Sequence, residues 1–146
     1  MSKAVPLLAA LVVGMALATQ GAVNSELARH VGQVRAVLIS ITVSVVVVLI
    51  LLLAHPGPGS FAGATHAPPW AFIGGLLGVA ALIGTIIAVP RIGVAATTAT
   101  VLAAQVITSA MIDQFGLLGV TARALTPPRL AGLALAVLAV LLITRR

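Results

Sequence analysis

Long apolar runs alternate along the chain with short polar or glycine- and proline-rich breaks. The runs have the length of bilayer crossings. Five are read, at residues 4–23, 36–54, 70–89, 92–112 and 128–144, each near the ~20 residues that a helix needs to cross hydrocarbon. The pattern predicts an all-α fold: one transmembrane domain over residues 1–146, a bundle of five transmembrane helices. Lys3 followed by an apolar run mimics a signal peptide. The run is longer than a signal core and no soluble domain follows it, so it is read as the first span.

The breaks set the connectivity. Residues 24–35, NSELARHVGQVR, form a polar connector with Gly32 as its break point. Residues 55–69 carry proline and glycine at a density that stops helices and predicts an exposed loop. The turn at 90–93 is so short that the third and fourth spans are expected to form an antiparallel hairpin. After a longer connector at 113–129, Thr126-Pro127-Pro128 reads as an N-cap followed by proline at the first helical positions, where its missing N–H costs least. The second span, with its VSVVVVLILLL core, is expected to face lipid, and Ser40 and Ser44, four residues apart, mark its buried side. Trp70 opens the third span at the depth of a membrane interface. Arg129, Arg145 and Arg146 are expected to snorkel at the two ends of the short fifth span.

Composition agrees with this pattern. The chain is 61% hydrophobic and 7% charged, with a mean hydropathy of +1.26, against roughly 25% charged residues in a soluble domain. It cannot cover itself with a wetted surface and is read as an integral membrane protein. The high isoelectric point reflects 8 basic against 2 acidic residues and no basic run; with 3% aromatics, nucleic acid is not an expected partner. Cysteine is absent, which excludes disulfides and thiolate chemistry. Five spans put the termini on opposite faces. One face then carries Arg29, Arg35, Arg91, Arg145 and Arg146 and the other Lys3, Arg123 and Arg129. This bias favours a cytoplasmic C-terminus but is weak enough to allow insertion in both orientations.

Candidate chemistry lies in the polar groups inside the spans, which in a membrane are functional candidates by default. Gln20 and Asn24 are four apart near the end of the first span. On the fourth, Gln105 and Ser109 are four apart, with Thr98 seven before Gln105 on nearly the same face and Thr97 and Thr108 on the next stripe. An unpaired carboxamide in hydrocarbon costs several kcal/mol, so Gln105 is expected to bond either another helix or a substrate. The Thr and Ser hydroxyls are expected to bond back to the preceding turn. Of the two acids, Glu26 and Asp113, neither is mid-span, where a proton-coupled cation exporter would want one. Asp113 caps a helix end or pairs with an arginine, or, as the lesser candidate, couples transport to protons. Gly74 and Gly78 have the small-xxx-small spacing for close helix packing, and Gly132 with Ala136 repeats it. His30, His55 and His66 show no metal-ligand spacing. No catalytic motif is present, so no enzyme, metal or cofactor is expected.

Taken in order, several residues resemble one family. These are Gln20 and Asn24 closing the first span, Trp70 with Gly74, Gly75 and Gly78 in the third, and Pro90 and Gly93 in the hairpin. Gln105 follows, then Asp113 with Phe115 and Gly116, and the stretch from Thr126 to Gly132. Over nearly its whole length the chain resembles the YdcZ-like, five-span (half-size) branch of the drug/metabolite transporter superfamily. It departs from that pattern at Ala104, where a glycine often precedes the glutamine, and at Ile41 and Ser44, where an aromatic residue and a glycine are usual. The resemblance implies a bacterial inner-membrane protein, one half of an inverted-repeat transporter, pairing antiparallel with itself or with a similar five-span partner. It would move a small solute by alternating access. Gln20, Asn24 and Gln105 are the expected substrate-binding residues and Asp113 the proton-coupling candidate. The alternative is a non-transporting accessory or scaffold protein that docks on a partner through its small-residue seams.

Overall fold

The computed structural model describes residues 4–57 and 59–145; Lys3 and Arg146, counted in the charge bias above, lie outside the described residues. Five long helices follow one another: α1 (Ala4–Val31), α2 (Gln33–Ala54), α3 (Ile73–Ile92), α4 (Val94–Phe115) and α5 (Pro127–Thr144). All five are long and apolar enough to cross a membrane, α3 being continuous with a short 3₁₀ turn that begins at Pro69. No strand occurs among the described residues, so the fold is the all-α membrane bundle that the apolar runs predict.

The helices differ from the expected spans mainly at their ends. The polar stretch after residue 23 is not a connector: α1 continues through it to Val31. Polar residues on a helix need only a solvent-facing side and local pairing. Glu26 provides that pairing, 3.0 Å from Arg29 and 3.3 Å from His30 one turn on. The break is then one residue wide. Gly32 (φ 86°, ψ 157°) joins α1 to α2, and Gly93 (φ 83°, ψ 163°) joins α3 to α4 in nearly the same conformation. That region of backbone space is essentially restricted to glycine. Pro90 does not end α3, which runs on to Ile92; the glycine does. Between α2 and α3 lie two 3₁₀ segments, Phe61–His66 and Pro69–Phe72, the first capped by the Ser60 hydroxyl, which accepts from the Ala62 N–H at 3.2 Å. Proline and glycine there exclude an α-helix but permit these short 3₁₀ segments.

Packing divides the chain into two compact units, one ending at Pro90 and one beginning at Arg91. In the first, α1 and α2 form a hairpin about Gly32, and α3 supplies Ile86 to a core with Ala36 and Val37. Leu27, Ala28 and Val31 of α1, Ile41 of α2, and Val79, Leu82 and Ile83 of α3 close around it. Gly21 marks the tightest approach: a Cβ there would lie 2.7 Å from Thr85 Cγ2 on α3. In the second unit α4 packs along α5; the buried residues of α4 are Ala96, Thr97 and Ala103, small side chains of the kind that let helix backbones come close.

The outer faces of the helices are apolar. Leu11, Val48 and Leu142 are each about 60% exposed, as are many of their neighbours. In water such a surface would aggregate; in a bilayer it is the lipid contact, and association rests on side-chain packing and hydrogen bonds.

The Gly21–Thr85 contact gives a test. Gly21→Ala gains up to about 1 kcal/mol of helix propensity but meets Thr85 at less than contact distance, an overpacking cost of about 1–3 kcal/mol. In detergent unfolding measurements Gly21→Ala is expected to destabilise the wild type. In a Thr85→Ser background, where Cγ2 is gone, it is expected to be neutral or stabilising. Equal effects in both backgrounds would show that α1 and α3 do not meet there.

Candidate functional site

Most hydroxyls within the helices are spent locally. Thr19, Ser25, Thr42, Ser44, Thr85, Thr97, Thr100 and Thr144 each donate to the carbonyl four residues earlier, at 2.7–2.9 Å. This is how a Thr or Ser satisfies itself in an apolar helix, and it removes Thr97 and Thr100 from the pool of groups available to a ligand.

Ser40 behaves differently. Its Oγ donates across the hairpin to Asn24 Oδ1 at 2.6 Å. Asn24 precedes Gly32 by eight residues and Ser40 follows it by eight, so both stand about 12 Å along their helices from the turn. The side chain of Asn24 is buried and its Nδ2 is enclosed with no hydrogen-bond partner. Ser25 is buried beside it, and Gly21, one turn earlier, faces Thr85. The result is a small polar pair set in the packed layer of the first unit, with its acceptor filled and its donor open. Ser40 is the residue that sequence reasoning placed on the buried side of α2 without finding its partner. The equal offsets from Gly32 are the signal that would have found it.

The other expected binding residues stand elsewhere. Gln20 is on α1, one turn before Asn24, and exposed; Gln105 is on α4, in the second unit, and also exposed. Among the described residues the Gln105 side chain makes no hydrogen bond, and neither do Thr98, Thr108 and Ser109 on its helix. The structure brings Asn24 together with Ser40, not with Gln20. Gly74, Gly78 and Gly132 have open space where a Cβ would be added, so within either unit no neighbour uses their smallness.

Asp113 stands at the C-terminal end of α4, 3.6 Å from Arg129 in the first turn of α5, both side chains partly exposed. Its carbonyl accepts from the Arg123 N–H at 2.7 Å, and Gln114 Oε1 accepts from the Leu125 N–H at 2.6 Å. Gly116, left-handed at φ 61°, ends the helix where a Cβ would come within 3.2 Å of Ala122. These contacts fold the α4–α5 loop back on the helix end and deliver the chain to Thr126. Thr126 is the N-cap, with Pro127 and Pro128 following, though its side chain makes no capping bond. The ion pair itself is worth at most about 1 kcal/mol at this exposure. A shallow cavity of about 130 Å³ in the second unit, lined by Arg91, Ile92, Ala96, Ile143 and Thr144, contains none of the expected binding residues.

Five helices long and apolar enough to cross a membrane, several carrying polar side chains, make this a multi-pass α-helical membrane protein. The family model described as "Putative inner membrane exporter, YdcZ" matches residues 5–142, and the chain belongs to that family of inner-membrane proteins. Among curated proteins and among solved structures, nothing matches the chain.

The Asn24–Ser40 pair separates a structural role from a functional one. If the pair exists for stability, removing either partner weakens the fold. If Asn24 is held for a ligand, its open donor is a cost in the closed state, and replacing it by an apolar residue relieves that cost. Asn24→Leu is therefore expected to leave thermal stability in detergent unchanged or raised, with Ser40 turning back to its own helix. Ser40→Ala, which strands the whole carboxamide, is expected to lose about 1–3 kcal/mol. A large loss in Asn24→Leu would assign Asn24 to packing.

Proposed function

We propose that this chain is a transporter subunit that moves a small solute by alternating access, working as an antiparallel dimer. The observation that carries this reading is the buried carboxamide of Asn24, held by Ser40 with its N–H pair unpartnered. Intramembrane polar groups with open hydrogen-bonding capacity are costly and are retained at ligand sites. The exposed Gln105 carboxamide on α4 supports pairing. A group of that kind gains nothing from lipid, and a second chain or a solute between two chains would supply its partner. Gln20, one turn from Asn24, lines the approach from the exposed side of α1, and Asp113 is the candidate for proton coupling. The odd number of spans and the weak charge bias suit two chains inserted in opposite senses, the arrangement that inverted-repeat transporters achieve within one chain. The outward glycines Gly74, Gly78 and Gly132 suit helix seams to a partner. They fit the dimer, and equally an accessory protein docked on another membrane protein.

Topology separates the two. Because the chain has no native cysteine, single cysteines at Gly59 and Thr144 report independently when a membrane-impermeant thiol reagent is added to whole and then lysed cells. Partial labelling of both sites in whole cells is expected for two orientations. Labelling of Gly59 alone, with no oppositely oriented partner recovered by cross-linking, would sink the dimer and favour the accessory role. In an efflux assay that depends on the wild-type chain, Gln105→Ala is expected to abolish export while insertion and pairing persist.

A further inference from the structure

We infer that the segment Phe61–Phe72, between α2 and α3, is seated in the headgroup layer of the bilayer with Phe61 and Trp70 as its anchors, and that the partner it fits is an uncharged phospholipid surface. This goes beyond the transporter reading and does not depend on it. Three observations carry it. The first is the want of charge. No Asp, Glu, Lys or Arg occurs between Arg35 and Arg91. His55 and His66 are the only ionisable side chains of the connection, so no fixed charge holds it out in water. The second is what the connection exposes. Phe61 is 82%, Trp70 48% and Phe72 61% exposed, and neither 3₁₀ segment contains a buried residue. These aromatic side chains therefore serve no core of their own. They continue the exposed apolar surface of the adjoining helix ends, Leu53 on α2 and Ile73, Leu76 and Leu77 on α3. An apolar patch open to water is costly, and aromatic rings at the end of a span favour the membrane interface.

The third observation is the hydrogen bonding. Chain that leaves water must pair its own polar groups. Here the Ser60 hydroxyl and carbonyl accept from the Ala62 and Gly63 N–H groups at 3.2 and 3.0 Å. The Ala67 N–H donates to the Ala64 carbonyl at 3.2 Å and the Ala71 N–H to the Pro68 carbonyl at 2.9 Å. The Thr65 hydroxyl donates to the Ala62 carbonyl at 2.7 Å. Pro68 and Pro69 bring no N–H that needs a partner. Because the anchors are uncharged, the seating depends on apolar burial and not on anionic lipid or on salt.

Phe61 is the position that decides. It lies seven residues beyond Ala54, the last of α2. Seven extended residues reach about 23 Å, whereas the headgroup layer is only about 5–8 Å deep, so a loop standing in water would carry Phe61 clear of the lipid. The chain has one tryptophan, Trp70, so the full-length protein in phosphatidylcholine nanodiscs reports on that position without substitution. Phe61→Trp combined with Trp70→Phe moves the report into the connection, and Val43→Trp combined with Trp70→Phe moves it to the exposed mid-span face of α2. Each indole would be quenched by phosphatidylcholine brominated high or low on its acyl chains, and by acrylamide from the water. At Trp70 and in Phe61→Trp, high bromines are expected to quench more than low ones, and acrylamide several-fold less than it quenches a free indole. Neither value is expected to change when anionic lipid is mixed in or salt is raised. Val43→Trp is expected to reverse the order of the bromines. If Phe61→Trp were as open to acrylamide as a free indole and untouched by bromine, the segment would stand in water and the inference would be overturned. Shielding from both quenchers would place protein over it, a second copy or another chain, and would overturn it as well. Bromine quenching that appears only with anionic lipid would overturn the uncharged class. None of these outcomes touches the transporter reading, which the cysteine labelling decides.

Discussion

Hydrocarbon offers no partner to a hydrogen-bonding group, so every polar atom inside the spans must be answered by the protein or be retained for another reason. The helices answer the backbone. Eight hydroxyls answer themselves by bonding one turn back along their own helix. Ser40 differs from them, because it reaches across the hairpin to Asn24. The chemistry of the first unit follows from this one bond.

Glycine sets where the helices turn and how near they come. At Gly32 and Gly93 the backbone adopts a conformation closed to side chains, so α1 and α3 end in a single residue with no loop. At Gly21 the missing side chain admits Thr85. At Gly116 the left-handed turn brings the following loop against the helix end, and Asp113 and Gln114 bond that loop through the backbone of Arg123 and Leu125. Asp113, Phe115 and Gly116, which stand out in the sequence as a group, occupy the helix terminus that organises the passage to α5.

The number and kind of the helices are legible in the sequence because bilayer crossing is a matter of length and apolarity, and both are properties of the run itself. Their ends are less so. The stretch after residue 23 reads as a connector because it is polar, but a helix with Glu26 paired to Arg29 and His30 continues through it without strain. Pro90 reads as part of the break, yet α3 continues past it to Gly93. The site is legible in part. Asn24 stands out as a carboxamide in an apolar run, but its partner depends on where the hairpin turns, and only with Gly32 fixed does Ser40 fall opposite. Spacing picks out Gly74, Gly78 and Gly132, whereas the glycine that admits a neighbouring helix in the first unit is Gly21, whose small partner four positions on is Ser25 and not a glycine. Spacing registers which helix faces are narrow and carries no information about what lies against them.

The one-residue joint at Gly32 has a mechanical meaning. A loop of several residues would let α1 slide or roll while α2 stayed still. A joint of one residue, with the Gly32 N–H bonded to Ala28 and its carbonyl accepting from Ala36, has no slack to absorb such movement. The two helices are geared: a roll of α1 that swings Asn24 out of the packed layer must also turn the start of α2, and with it the core residues Ala36 and Val37. Any movement at the polar pair would thereby be passed to the whole hairpin through that joint.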